Sequence, residues 1–127
     1  MERKNVVSSD FWESMVGQSR AVRAGNFIAV SATNALNEEG ELVGLKNVFQ
    51  QTFYIIEKIE KALIEEGATL NDVTRTRIYV TDISQWEEVA KVMHHFFGEI
   101  KPASTMVEVS ALIDPRFLIE IEVTALK

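Results

Sequence analysis

The amino-acid sequence predicts a single α+β domain spanning residues 1–127, with the element order ββαβαββ and two helices covering one face of one mixed β-sheet. Three observations lead to this prediction. The chain of 127 residues is long enough for one domain with one sizeable core. Two segments carry apolar residues at helical spacing, each in a single stripe. The other apolar segments are short and alternate with polar residues, which is typical of half-buried strands.

The first elements are two short strands that follow a lead-in segment. We expect residues 1–17 to pack against the domain through apolar anchors, which are Val6, Val7, Phe11, Trp12, Met15 and Val16. Residues 18–23 and 26–31 are predicted strands, joined by a tight turn at Ala24-Gly25. Residues 32–46 are rich in Asn, Glu and Gly, which indicates a loop.

The first predicted helix covers residues 47–66, and Gly67 is suited to end it. Its apolar stripe runs from Val48 to Leu63. Opposite the stripe lie Glu57, Lys58 and Lys61, and the first and last of these are spaced for an ion pair.

A strand over residues 72–81 precedes the second helix, over residues 85–100. On the strand, one face is predicted to hold Thr74, Thr76, Ile78 and Val80, and the other Val73, Arg75, Arg77 and Tyr79. The helix is predicted to begin with a capping box between Ser84 and Glu87, and to end before Pro102. Its predicted buried stripe consists of Trp86, Val89, Ala90, Met93, Phe97 and Ile100.

The last quarter of the chain is predicted to form two strands, over residues 104–109 and 118–125. The second alternates strictly: one face holds Ile119, Ile121, Val123 and Ala125, and the other Leu118, Glu120, Glu122 and Thr124. The sheet face away from the helices is therefore mixed in character, with Phe27, Ser31, Arg75, Arg77, Tyr79, Glu108, Glu120 and Glu122. Aromatic residues interleaved with complementary charges favour a subunit interface, so we expect an oligomer.

Composition narrows the classes of partner. With 13 basic and 19 acidic residues the formal net charge is −6, and no basic stripe is present, so nucleic acid is not an expected partner. No apolar run is long enough to span a bilayer, so no membrane association is expected. A charged N-terminus without a signal-type apolar segment predicts a cytoplasmic protein. The absence of cysteine excludes thiol catalysis and thiolate metal sites.

Few residues carry chemistry by pattern alone. His94 and His95 are adjacent, so on a helix their side chains diverge by about 100° and do not readily share one metal ion. Arg75 and Arg77 could bind an anion, or they could pair across strands with Glu120, Glu122 or Glu108. The glutamates are open to the same two interpretations, as partners of these arginines or as an acid or base.

Several segments, taken in order, resemble the Rid family (YjgF-like proteins, historically labelled L-PSP endoribonucleases). They are Ala24-Gly25-Asn26 leading into FIAVSA, the Gln51 helix ending in EEGATLNDV, RTRIYVTDI followed by WEEV, Phe96-Phe97, Pro102-Ala103, VEVSAL and IEIEVTA. The resemblance covers nearly the whole chain, from about residue 16 to residue 125. The specificity lies in the order and spacing of the segments together.

The resemblance implies a chorismate-mutase-like (YjgF-like) fold and a homotrimer that binds a small-molecule metabolite in clefts between its subunits. The best-known members of this family hydrolyse reactive enamines and imines, such as 2-iminobutanoate, to a keto acid and ammonia without a cofactor. In such proteins an Arg after the Pro-Ala pair binds the substrate carboxylate in a bidentate manner. A Glu in the IEIE strand positions the attacking water.

Carried onto this chain position by position, the family pattern matches in part. Glu120 stands at the position of the catalytic Glu, and Ser31 at that of the pocket Ser. Five other positions depart from the pattern: Ser104 replaces the Arg, Met106 the Cys often found two residues later, Ala32 a Gly, Gln18 a Tyr and Ala90 an Asn.

The loss of the Arg bears most on function. A Ser hydroxyl cannot replace a bidentate cation, and losing a charge-assisted pair costs about 1.5–3 kcal/mol, roughly a tenfold to hundredfold loss of affinity. This argues against the standard 2-iminobutanoate activity. Either Arg20, two residues beyond the Tyr position, or Arg116, in the loop before the last strand, could supply a cation; alternatively, both are surface residues.

Three functions are therefore compatible with the sequence. The chain could be a deaminase or other hydrolase of a small imine, enamine or related carbonyl compound, with Glu120 placing the water. It could be a trimer that binds a small metabolite without turning it over. The third, RNA cleavage, is disfavoured by the net charge of −6.

Overall fold

The computed structural model describes residues 1–8 and 10–127. The strands are β1 (Arg3–Val6), β2 (Ala21–Ala24), β3 (Phe27–Thr33), β4 (Val73–Val80), β5 (Ala103–Glu108) and β6 (Ile119–Leu126). The α-helices are α1 (Phe11–Val16), α2 (Val48–Glu65) and α3 (Trp86–Phe97), and single 3₁₀ turns at Leu70–Asp72 and Ile83–Gln85 lead into β4 and α3. The predicted α+β fold is confirmed, with β1 and α1 as elements that the sequence patterns did not predict.

All six strands form one mixed sheet in the order β1-β2-β3-β6-β4-β5. Only the edge pair of β4 and β5 is parallel; the other neighbours are antiparallel. The central position of β6 explains its strict alternation: Ile119, Ile121, Val123 and Ala125 are buried under the helices, and the intervening side chains point to the other face.

Two helices cover one face of the sheet, as predicted. From α2 the residues Ile55, Ile56, Ile59 and Leu63 are fully buried, and from α3 the residues Val89 and Val92. Asn47 caps α2, since its side chain accepts a hydrogen bond from the Gln50 amide. The buried Gln51 side chain donates to the carbonyls of Gly44 and Arg116 and accepts from the Leu118 amide, which ties two loops to the start of β6.

Five local predictions were wrong in whole or in part. Of the apolar anchors predicted for the lead-in, Val6 packs against the core, but Val7, Phe11 and Met15 are 71%, 73% and 64% exposed, and Glu13 is the buried residue of α1. A register shift in β4 buries Val73 and exposes Thr74, the reverse of simple alternation.

At α3 the predicted capping box is absent, since Asp82 caps the preceding 3₁₀ turn instead. Trp86 is 52% exposed, and Val92 takes a place in the buried stripe. On α2, Lys61 pairs with Glu38 at 2.8 Å rather than with Glu57. Within the described chain, no helix has the length and apolar character that crossing a membrane requires.

Candidate functional site

A cavity of about 510 Å³ lies where β3 and β6 meet the N-terminal segment. Its wall includes acidic side chains, a guanidinium and apolar side chains, namely Asp10, Trp12, Gln18, Arg20, Ser31, Ala32, Asn34, Leu36, Ile113, Asp114, Phe117, Glu120 and Glu122. Five of the residues that the sequence singled out therefore share one cavity: Glu120, Ser31, Ala32, Gln18 and Arg20. The volume is within the range of small-molecule sites.

Glu120 is the central carboxylate of this cavity. It lies on β6 opposite Tyr79 of β4, on the sheet face away from the helices. Burial raises the pKa of Glu120, while the positive charges of Arg20 and Lys58 oppose that rise. A half-buried carboxylate with a raised pKa is suited to accept a proton from water and to return it.

Ser31 and Ala32 reach the cavity through a register shift between β3 and β6 at residues 30–33. Irregularities of this kind re-aim side chains and are frequent beside active sites. The Ser31 hydroxyl donates to the Ser19 carbonyl at 2.7 Å, so its oxygen remains able to accept a hydrogen bond.

Arg20 brings a guanidinium into the cavity, but the buried carboxylate of Glu13 partly neutralises its positive charge. Its Nε lies 3.3 Å from Oε2 of Glu13, whose side chain is 3% exposed. This Nε makes no hydrogen bond within the described chain, so Glu13 acts on it mainly as a charge. Glu13 is itself held by the amide and the hydroxyl of Ser8, at 3.1 and 2.8 Å. The sequence carried no signal for Glu13, the one charged residue inside α1.

Lys58 is a second basic residue near this cavity. The helical pattern placed it opposite the apolar stripe of α2, but its side chain is half-buried. Its ammonium donates to the carbonyls of Asn34 and Leu36 at 2.8 and 2.7 Å, and so anchors the loop after β3. Burial, reinforced by the charge of Arg20, lowers the pKa of Lys58 to about 8.

Lys58 lines a second cavity of about 630 Å³, on the α2 side of the N-terminal segment. Asp10 and Arg20 border both cavities, whereas Glu120 borders only the smaller one. The smaller cavity is therefore the candidate active site.

Ser104 and Met106 lie apart from this cavity. On β5 they are in register with Thr76 and Ile78, which are buried on the helix side, so they are on the face opposite Glu120. The Thr76 hydroxyl donates to Ser104 Oγ at 2.8 Å. Within one chain, Ser104, at the position of the family's Arg, and Glu120, at the position of its Glu, therefore lie on opposite faces of the sheet.

The predicted cross-strand ion pairs are not formed in the described part of the chain. Arg75 contacts Thr105 instead, and the Tyr79 hydroxyl donates to Glu122. Glu108, in register with buried Val80, lies on the helix side and accepts from the Ile83 amide.

Arg116 does not line the cavity and pairs with Asp114 at 2.7 Å. His94 and His95 are exposed. Among the residues that the structure describes, no cluster of three or more His, Asp or Glu side chains is arranged to hold a metal ion.

Comparison with known proteins places this geometry in a family. The family model described as Endoribonuclease L-PSP matches residues 12–127. A RutC family protein of Pyrococcus abyssi is 40% identical over 111 residues, which cover 86% of this chain and 85% of that protein. A protein of Acinetobacter baylyi named 3-aminoacrylate deaminase RutC is 33% identical over 101 residues, covering 80% of this chain and 79% of its own.

Among solved structures, a Mycobacterium tuberculosis member of the YjgF/YER057c/UK114 family superposes with a TM-score of 0.91 at 46% identity, covering 99% of this chain and 100% of its own. The sequence resemblance and the fold thus agree, and a deaminase-type or small-molecule-binding role is supported. The chain belongs to the YjgF/Rid family, the family of Endoribonuclease L-PSP.

Proposed function

We propose that this protein is a cofactor-independent hydrolase that deaminates a small, reactive imine or enamine, with Glu120 as the general base. The observation that carries the proposal is Glu120 itself: a half-buried carboxylate with a raised pKa, on the wall of a 510 Å³ cavity beside Ser31. Family membership and a relative named as a deaminase support the same reaction class.

In the proposed reaction an enamine first tautomerises to the imine. Glu120 then takes a proton from water as the water oxygen bonds to the imine carbon, and the C=N electron pair moves to nitrogen. Protonated Glu120 returns the proton to nitrogen. The C–N bond of the carbinolamine breaks, and the hydroxyl proton passes to the leaving ammonia. The products are a carbonyl compound and ammonia, and Glu120 ends in its starting state.

We further propose that the working form is a homotrimer in which a neighbouring copy completes each cleft. Two features support this. On the sheet face away from the helices, Phe27 and Leu126 are neighbours in register and are 49% and 55% exposed. Ser104 lies on the edge strand β5, which pairs with β4 on one side and has no strand on its other side within one copy. Sedimentation should give three times the 14.3 kDa chain mass, and a monomer would contradict the assembly.

The catalytic test is ammonia release from imines and enamines generated in situ, starting with 2-aminoacrylate. Glu120→Gln keeps the shape but cannot accept the proton, so the rate should fall by about 10²–10⁴-fold. Glu57→Gln, on the exposed side of α2, is the matched control and should keep the wild-type rate. Wild-type protein no faster than Glu120→Gln on every imine tested would refute the catalytic proposal.

The second candidate is a trimer that binds a metabolite without turnover. Ser104 at the Arg position is the observation that favours it. Thermal-shift titration with keto acids and small amides separates the two functions, since stabilisation without product release supports binding alone. RNA cleavage has the weakest support. The four carboxylates on the cavity wall outnumber its one guanidinium, so the wall as a whole repels phosphates.

A further inference from the structure

The candidate cleft carries an excess of negative charge. Its wall holds four carboxylates, on Asp10, Asp114, Glu120 and Glu122, and one guanidinium, on Arg20, a formal balance of −3. Including the ion-pair partners outside the wall leaves the formal balance at −3. Glu13, the partner of Arg20, adds one negative charge, and Arg116, the partner of Asp114, adds one positive charge.

Among the residues that the structure describes, Arg20 supplies the one guanidinium on this wall, and that group already has partners. Arg20 faces the buried carboxylate of Glu13 at 3.3 Å, and its Nη1 donates to Thr33 Oγ1 at 3.4 Å. A carboxylate ligand would have to compete with Glu13 while lying close to Glu120. The ammonium of Lys58 is near enough to affect Glu120, but it borders the adjoining cavity and is held by two carbonyls.

In the proposed assembly, strand β5 of a neighbouring copy would bring no compensating cation, since its residues from Ala103 to Val107 are uncharged. The rest of the wall combines polar side chains, on Gln18, Ser31 and Asn34, with an apolar part. Trp12 and Ile113 are 42% and 68% exposed at the cavity, next to Leu36 and Phe117. An aromatic ring beside carboxylates suits an organic cation with an apolar body.

We propose that the substrate of this site is the imine or iminium of an apolar primary amine, which carries no carboxylate. This inference rests on the proposed function, and names its substrate class. The positive iminium carbon–nitrogen group lies against Glu120, and the apolar body lies against Trp12 and Ile113. Hydrolysis follows the steps given above: R–CH=NH₂⁺ and water yield R–CHO and NH₄⁺, with no oxidant or reductant.

A matched pair of substrates tests the inference on the assembled, full-length protein. One is the imine formed from 3-methylbutylamine by an amine oxidase, and the other is the imine formed from leucine by an L-amino acid oxidase. The two share a branched chain and differ by the carboxylate. Hydrolysis is followed as loss of imine trapped by semicarbazide. We expect the amine-derived imine to have a kcat/KM at least about tenfold higher. A higher value for the leucine-derived imine would overturn the inference and leave the proposed hydrolase intact.

Calorimetric binding decides the inference even if neither imine is hydrolysed, an outcome that would remove the catalytic proposal. The inert probes are 3-methylbutylammonium and 3-methylbutanoate, which place opposite charges on the same branched chain. We expect the ammonium to bind more tightly and Glu120→Gln to weaken it about tenfold. Tighter binding of the carboxylate, or no binding of either probe, would overturn the inference.

Ser104→Arg supplies the cation that the family pattern places there. In the assembled protein it should raise the affinity for 3-methylbutanoate by about tenfold or more. Ser104→Thr is the matched control, since it changes the side chain without adding charge, and it should give no comparable gain in affinity for 3-methylbutanoate. If Ser104→Arg leaves the preference for the ammonium unaltered, position 104 is not part of the cleft. That result would contradict the inference that the absence of an Arg at this position sets the preference.

Discussion

The buried ion pair between Glu13 and Arg20 offers the sharpest test of how the N-terminal segment is held. Glu13→Ala removes a carboxylate that is 3% exposed and leaves a guanidinium 14% exposed without its counter-charge. Breaking a buried pair by removing one partner costs about 3–5 kcal/mol. Because Arg20 borders an open cavity, we expect the lower end, about 3 kcal/mol. Glu13→Gln can still accept from the Ser8 hydroxyl and should cost about 1–2 kcal/mol.

Urea unfolding at a fixed protein concentration measures these costs, since the apparent stability of an oligomer depends on concentration. Lys91→Ala is the control, because its pair with Glu88 has side chains 63% and 48% exposed and should contribute less than about 0.5 kcal/mol. A double-mutant cycle with Arg20→Met should give a coupling of at least about 1 kcal/mol. A cost of Glu13→Ala no larger than that of the control, or a cycle without coupling, would show that this ion pair does not hold the segment.

Three further predictions concern stability. Burial raises the pKa of Glu66, and neither of its carboxylate oxygens has a hydrogen-bond partner in the described chain, so wild-type stability should fall as pH rises through the folded-state pKa. Glu66→Gln should therefore be more stable than wild type at pH 7 but not at pH 3, by urea unfolding; equal stability at pH 7 contradicts this. Gly44→Ala should cost about 3 kcal/mol of stability, since φ is 84° and the new Cβ would lie 2.8 Å from the Gln50 Cβ. Gly40 has a similar φ of 79° but lies in open space, so Gly40→Ala should cost about 1 kcal/mol. Thermal unfolding measures both losses. Equal losses would count against the packing argument. Because burial lowers the pKa of Lys58 to about 8, wild-type stability should gain with pH above 8, and Lys58→Met should lack that gain in urea titrations at pH 8 and pH 10.

The central elements could be predicted from sequence because each is specified by its own pattern. The stripe of α2 and the alternation of β6 each reflect burial of one face, and burial is what local periodicity records. The alternation along β6 is sufficient to place Glu120 on the face opposite the apolar residues. The family resemblance indicated the other candidate site positions, including Ser31 and Ser104.

Errors arose where another segment decides the environment. The apolar residues of α1 predicted burial, but the helix is anchored by Glu13 through a partner seven residues away, and no periodicity encodes that contact. Lys58 is opposite the apolar stripe of α2, but the loop after β3 folds over it and half-buries its side chain. A register shift in β4 exchanged Val73 and Thr74, because pairing with β6 rather than strict alternation sets their faces.

The amino-acid sequence by itself determined the fold class, the family and the position of the candidate carboxylate, because these depend on residue patterns along the chain. Only the tertiary structure showed that Ser104 lies on the opposite sheet face from Glu120, and that Arg20 enters the cleft already opposed by a buried Glu13. The physical reason is that the charge of a site is the sum over groups that folding brings together from distant segments. Residue identity gives the sign of each charge, but only the fold decides which charges act on the same ligand.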